Sequence, residues 1–134
     1  EALGSGIGLK VLHHRAQVGT HACGCDADAV AGVLLNPMIA GAAMAMDVQC
    51  TVVIQGSAVF LVKKGIIEHV KVPGLTPLKE LVDNFLENGG ELLVCIPCLE
   101  ERGIEASDVI EGATLGKSGK VVSRILEAKA TLVY

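Results

Sequence analysis

The sequence predicts an α/β domain: a mainly parallel sheet with helices on both faces, forming a three-layer sandwich. Three observations carry that prediction. Aliphatic runs such as Val48–Ile54 and Leu92–Val94 have the length and continuity of strands buried on both faces. Between them lie segments of helical spacing opened by Pro or closed by Gly, so strand and helix alternate. Right-handed crossovers follow from that alternation, with about five strands in all. Finally, the 134 residues contain no linker, internal repeat or low-complexity tract, which makes 1–134 one domain with one core.

Residues 1–8, with three glycines, read as a loose N-terminal segment. Leu9 to His14 reads as a first strand, although its end is polar (His13, His14, then Arg15). Arg15 to Asp28 follows as a long loop carrying His21, Cys23 and Cys25, with Asp26 or Asp28 placed to cap the next helix. That helix is expected over about Ala29 to Met46, apolar on all sides and bent or broken at Pro37. The span is uncharged and near membrane-spanning length, but Asn36-Pro37 interrupts it and Ala and Gly dominate it. A helix enclosed in a soluble domain is the better reading.

Val48–Ile54 is the second strand, with Cys50 as a small core residue. Gln55-Gly56-Ser57 turns the chain, Ala58 to Lys64 gives a short helix, and Ile66 to Val72 reads as a short edge strand. Thr76-Pro77 then opens the clearest helix: Leu78, Leu81, Val82, Phe85 and Leu86 share one face, and Gly89-Gly90 stops it. The strand ending at Cys95 comes next, then a brief extended segment at Asp108–Gly112. Ser118 to Lys129 forms a last amphipathic helix through Val121, Val122, Ile125 and Leu126, and Thr131 to Tyr134 closes as a strand.

Composition excludes several function classes. Hydrophobic residues make up 51% of the chain and aromatics only 2%, so the core is aliphatic and no base-stacking platform is available. A net charge of −4, with no basic run longer than Lys63-Lys64, argues against a nucleic-acid surface. Five cysteines, an odd number, with no apolar leader, predict a reduced, cytoplasmic setting.

Chemistry concentrates in Glu91 to Gly103. Leu92, Leu93 and Val94 run up to Cys95, Pro97 suits a helix's first turn, and Gly103 suits its stop. Cys95 therefore ends a strand just ahead of a helix N-terminus, where partial positive charge favours the reactive thiolate. Cys98, three residues on, is close enough for a disulfide, a sulfur hand-off or a shared metal. In parallel sheets ligands sit beyond the carboxyl ends of the strands. That rule gathers His13, His14, His21, Cys23, Cys25, Gln55 and Cys95 at one edge, although any single histidine is more often a solvated or hydrogen-bonded side chain.

Other classes fit parts of this pattern. Cys23, Cys25, Cys95 and Cys98, with His13, His14 or His21 as substitutes, offer ligands for zinc or an iron–sulfur centre. Against it, structural zinc usually holds together poorly packed modules, and this chain builds its own core; no cofactor and no metal is the favoured expectation. Cys-Ile-Pro-Cys also has thioredoxin-like spacing. It comes too late in the chain, with only one more helix and short strands after it. An oligomeric binding module without turnover is a further compatible class.

Three blocks resemble the DsrE/DsrF-like family of small sulfur-handling proteins, over about Leu9 to Tyr134. The first is Asn36-Pro37-Met38-Ile39-Ala40 with Ala42-Ala43-Met44-Ala45-Met46-Asp47-Val48. The second runs from Gln55 to Gly65, and the third is Val94-Cys95 with Leu99 to Gly103 and then Asp108 to Gly112. The resemblance implies a sulfurtransferase or sulfur carrier whose cysteine holds sulfane sulfur as a persulfide and passes it to an acceptor thiol. Cys95, ahead of Arg102-Gly103, matches the reactive cysteine; Cys98 joins it as the second catalytic candidate, and His13, His21, Gln55, Gly56 and Arg102 are the substrate-binding candidates. A homo-oligomer, trimeric or hexameric, working with sulfur donor and acceptor proteins, is implied too. The chain departs from the family in its Cys23-x-Cys25 and its polar first strand, and Cys98 is not general among the relay members.

Overall fold

This computed structural model describes residues 15–22 and 38–133. Five strands form one sheet in the order β4-β3-β2-β1-β5. They are β1 (Arg15–Ala22), β2 (Gln49–Gly56), β3 (Glu91–Cys95), β4 (Thr114–Gly116) and β5 (Ala130–Val133). Every pairing is parallel. The helices are α1 (residues 38–45), α2 (Leu78–Glu87), α3 (Ile96–Glu101) and α4 (Ser118–Glu127). From β1 to β4 the chain steps in one direction across the sheet, and the last crossover returns from one edge to the other. Right-handed connections then put α4 on the opposite face from α1 and α2. This is the three-layer, parallel α/β fold that the alternation of elements predicts.

Alternating side chains fill the two interlayer spaces. Val52, Ile54, Leu92 and Val94 face the helices before β4, packing in one cluster with Ala40, Val59, Leu78, Val82, Phe85 and Leu99. Val53 and Leu93 are buried at the other parity. On that side the last crossover sits close: a Cβ at Gly116 would lie 2.7 Å from Leu93 Cδ1, so a side chain there would make Leu93 shift. Glu91 shares the parity of Leu93 and ties α4 down. Arg124 Nε donates to its Oε2 at 2.7 Å and Arg124 Nη2 to its Oε1 at 3.1 Å, while the Thr51 hydroxyl donates to Oε2 at 3.1 Å.

The structure departs from the sequence expectations at four places. Residues 15–22, expected as loop, form β1, paired with β2 on one side and β5 on the other; Leu9–His14 lies outside the described residues. Residues 66–72 are not a strand: a 3-10 turn at Ile67–His69 buries Ile67 completely. Its backbone bonds to the start of α2 instead, Leu78 N–H donating to the Val70 carbonyl at 3.0 Å. At Asp108–Gly112 only Val109 makes an isolated bridge, to Lys63, and the edge strand comes later, at Thr114–Gly116. The short helix after β2 is a 3-10 helix, Ser57–Val62. No helix among the described residues is long and apolar enough to cross a membrane.

Candidate functional site

A single row of residues closes the carboxyl end of four strands. His21 pairs with Gln55, and Cys95 with Gly116. Since Ile54 pairs with Val94, Gln55 follows beside Cys95. The register thus brings His21, Gln55 and Cys95 to one edge, as the strand-end rule requires. His13, Cys23 and Cys25 lie outside the described residues, so their place relative to this row does not enter the site.

Cys95 is both the last residue of β3 and the N-cap of α3, with Pro97 in the first turn. Its side chain is half-buried. Burial pushes the Cys95 thiol above its ordinary range, and the Cys98 side chain adds to the rise. The Cys98 backbone N–H and the charge of Arg102 act in the opposite sense and are outweighed. The expectation of a thiolate stabilised by the helix end is therefore corrected. A helix of six residues supplies too little field to offset the loss of water around the sulfur.

Cys98 faces inward. It is packed against the aliphatic core cluster, and its Sγ accepts the backbone N–H of Gly56 at 3.2 Å. Gly56 is the last residue of β2, with φ 61° and ψ −141°, a conformation open essentially to glycine alone. Past Cys95, β3 becomes α3, so no strand continues beside Gly56 on that side. The amide turns to sulfur instead. A glycine directly after an aliphatic strand was the available signal for this, but the direction of an N–H is not written in sequence.

Arg102 closes α3. Its Nη1 donates to the Cys98 carbonyl at 3.1 Å and pairs with Glu101 Oε2 at 2.8 Å. This keeps a cation within electrostatic reach of Cys95 without placing it on the sulfur. Gln55 is half-buried at the row's centre. Among the described residues no group of three or more His, Cys, Asp or Glu side chains is arranged to hold a metal ion. The Cys23, Cys25, Cys95, Cys98 alternative therefore has only its second half within the described structure.

The DsrE/DsrF-like family model matches residues 31–134. An uncharacterised protein of Methanocaldococcus jannaschii is 30% identical over 79 residues, spanning 57% of this chain and 69% of that protein. Among solved structures, a protein of unknown function from Methanobacterium thermoautotrophicum superposes with a TM-score of 0.70 at 20% identity, covering 90% of this chain and 99% of that one. YchN of E. coli gives 0.68 at 15% identity, over 91% of this chain and 99% of YchN. At these identities the two structures speak for the fold alone.

Proposed function

The chain belongs to the DsrE/DsrF-like family, and from that premise we propose that it holds sulfane sulfur as a persulfide on Cys95 and hands it to an acceptor thiol. Family membership points to sulfur relay in general. The observation that carries the finer reading is Cys95 itself: a half-buried sulfur at the carboxyl edge of the sheet, capping a short helix that carries a second thiol, Cys98, and closes on a cation, Arg102. In loading, the Cys95 sulfur attacks the outer sulfur of a donor persulfide. A Cys95 S–S bond forms, the donor's S–S bond breaks, and the donor leaves as a thiol carrying the Cys95 proton. Transfer to the acceptor is the same exchange in the outward direction. Gln55 follows beside Cys95 in register, His21 pairs with Gln55, and Gly56 and Arg102 bond to Cys98; these four, with His13 from the sequence, are the proposed recognition residues for an incoming persulfide.

Partners of this reading are donor and acceptor proteins in the cytoplasm and further copies of the chain. Support for copies comes from α4, whose Val122, Ile125 and Leu126 are 52%, 43% and 81% exposed. The test is to incubate reduced protein with polysulfide or thiosulfate and map mass gain by peptide. Sulfur is expected on the Cys95 peptide, abolished by Cys95→Ser and only altered by Cys98→Ser. Added sulfur on the Cys95→Ser protein would overturn the assignment.

A further inference from the structure

We propose that Cys98, aimed by the Gly56 amide, attacks the Cys95 persulfide from within the chain, releasing hydrosulfide and leaving a Cys95–Cys98 disulfide. This rests on the reading of Cys95 as the persulfide carrier and adds a second exit for its sulfur.

Three observations converge on it. Cys95 is the N-cap of α3 and Cys98 its third residue, the spacing at which an N-cap side chain reaches over the helix's first turn, so a small backbone shift there brings the pair to disulfide distance. The Cys98 sulfur is not left to swing: the Gly56 N–H fixes it at 3.2 Å, through a backbone conformation that only glycine holds without strain. Cys95 stands on the strand-end row, where such sheets receive ligands, and Cys98 packs on the core, so Cys95 is assigned the first step and Cys98 the second.

The chemistry balances without an outside oxidant. The Cys98 thiolate attacks the Cys95 Sγ of Cys95–S–SH. The Cys98–Cys95 S–S bond forms, the bond to the outer sulfur breaks, and that sulfur leaves as hydrosulfide with the electron pair. The sulfane sulfur is reduced and the two cysteines are oxidised. An external dithiol reductant returns the pair to thiols by ordinary exchange. Magnitude favours the internal route whenever no acceptor is docked. Well-oriented groups in one molecule reach effective molarities on the order of 10⁵ M, which no freely diffusing thiol approaches. The protein then stands between a reaction that generates persulfide and one that consumes hydrosulfide, and it draws on a dithiol.

The experiment loads reduced protein with inorganic polysulfide, removes the excess, and follows hydrosulfide release together with intact mass. Wild-type protein is expected to release hydrosulfide and finish two hydrogens lighter, with no sulfur retained. Cys98→Ala is expected to keep one extra sulfur on Cys95 and to release it about 100-fold more slowly. If Cys98→Ala loads and wild type holds its sulfur equally long, internal resolution is overturned while the carrier reading stands. If Cys98→Ala takes up no sulfur on Cys95, the carrier reading itself fails, and this proposal with it. Gly56→Ala tests the aiming: displacing the amide from the Cys98 sulfur is expected to slow release roughly ten-fold more than it slows loading. Equal losses in both would remove Gly56 from the assignment.

Discussion

At Cys95 two effects oppose each other, and dehydration wins over the charge of the helix end. Only a thiolate attacks a sulfur donor, and a thiol pushed upward is less ionised at neutral pH than a free cysteine. Alkylation of Cys95 by iodoacetamide, followed by peptide mass spectrometry, is therefore expected to rise with pH through a midpoint above the ordinary 9.0. Cys98→Ala deletes the side-chain hydrogen bond and charge that raise the value and leaves the backbone N–H that lowers it. Its midpoint moves down; an unchanged or higher midpoint would show that Cys98 does not couple to Cys95. The location of Cys95 was legible, because an aliphatic run ahead of it and Pro97 and Gly103 behind it mark a strand-to-helix turn. Its protonation was not, since motif spacing carries no information on how much water reaches the sulfur. The Gly56–Cys98 contact was hidden for a related reason: the partners are 42 residues apart and meet only through the β2–β3 register.

Elements were readable where burial imposes a periodic pattern. α2 runs from Leu78 to Glu87 behind Thr76-Pro77, and β2 and β3 coincide with the longest aliphatic runs. β1 has no such run; Arg-Ala-Gln-Val-Gly-Thr-His-Ala becomes a strand because β2 and β5 flank it on both sides. β4, at three residues, is too short to announce itself. α4 was legible as amphipathic, but what anchors it was not. The bidentate Arg124–Glu91 pair, each side chain 25% exposed, joins the last helix to the base of β3. Hydrogen bonds from Arg124, then from Thr51, hold the Glu91 carboxyl below its ordinary range despite the opposing effect of burial. A carboxylate with a depressed folded-state pKa contributes stability that is fully present above the unfolded value, 4.5, and is lost as pH falls through the folded one. Glu91→Gln is expected to cost about 1 kcal/mol at neutral pH. In thermal melts the variant and wild type should converge as the solution is acidified well below 4.5; a constant gap would place the effect in packing rather than charge.

At the scale of the whole molecule, the described residues cover the two faces of the sheet unequally. One carries α1, α2 and the 3-10 turns; α4 belongs to the other and leaves Leu126 at 81% exposure. An apolar stripe of that kind gains about 25 cal/mol for each Å² removed from water, so a partner surface stabilises it. Leu126→Glu is expected to lower the native mass measured by light scattering, with Cys95 loading retained in any dissociated chain. An unchanged mass would overturn α4 as a contact between copies. The alternation of elements made the layer order readable, whereas strand order rests on the long return to β5, which no local pattern records.

That return has a consequence for how the chain comes together. β5 has one neighbour, β1, so residues Ala130–Val133 can be seated only after almost everything between them has been made. On the ribosome the sheet therefore waits, with one flank of β1 bare, until the C-terminal strand emerges. A chain cut just short of residue 130 would keep that raw border permanently, and its natural fate is to stick, strand to strand, to its own kind.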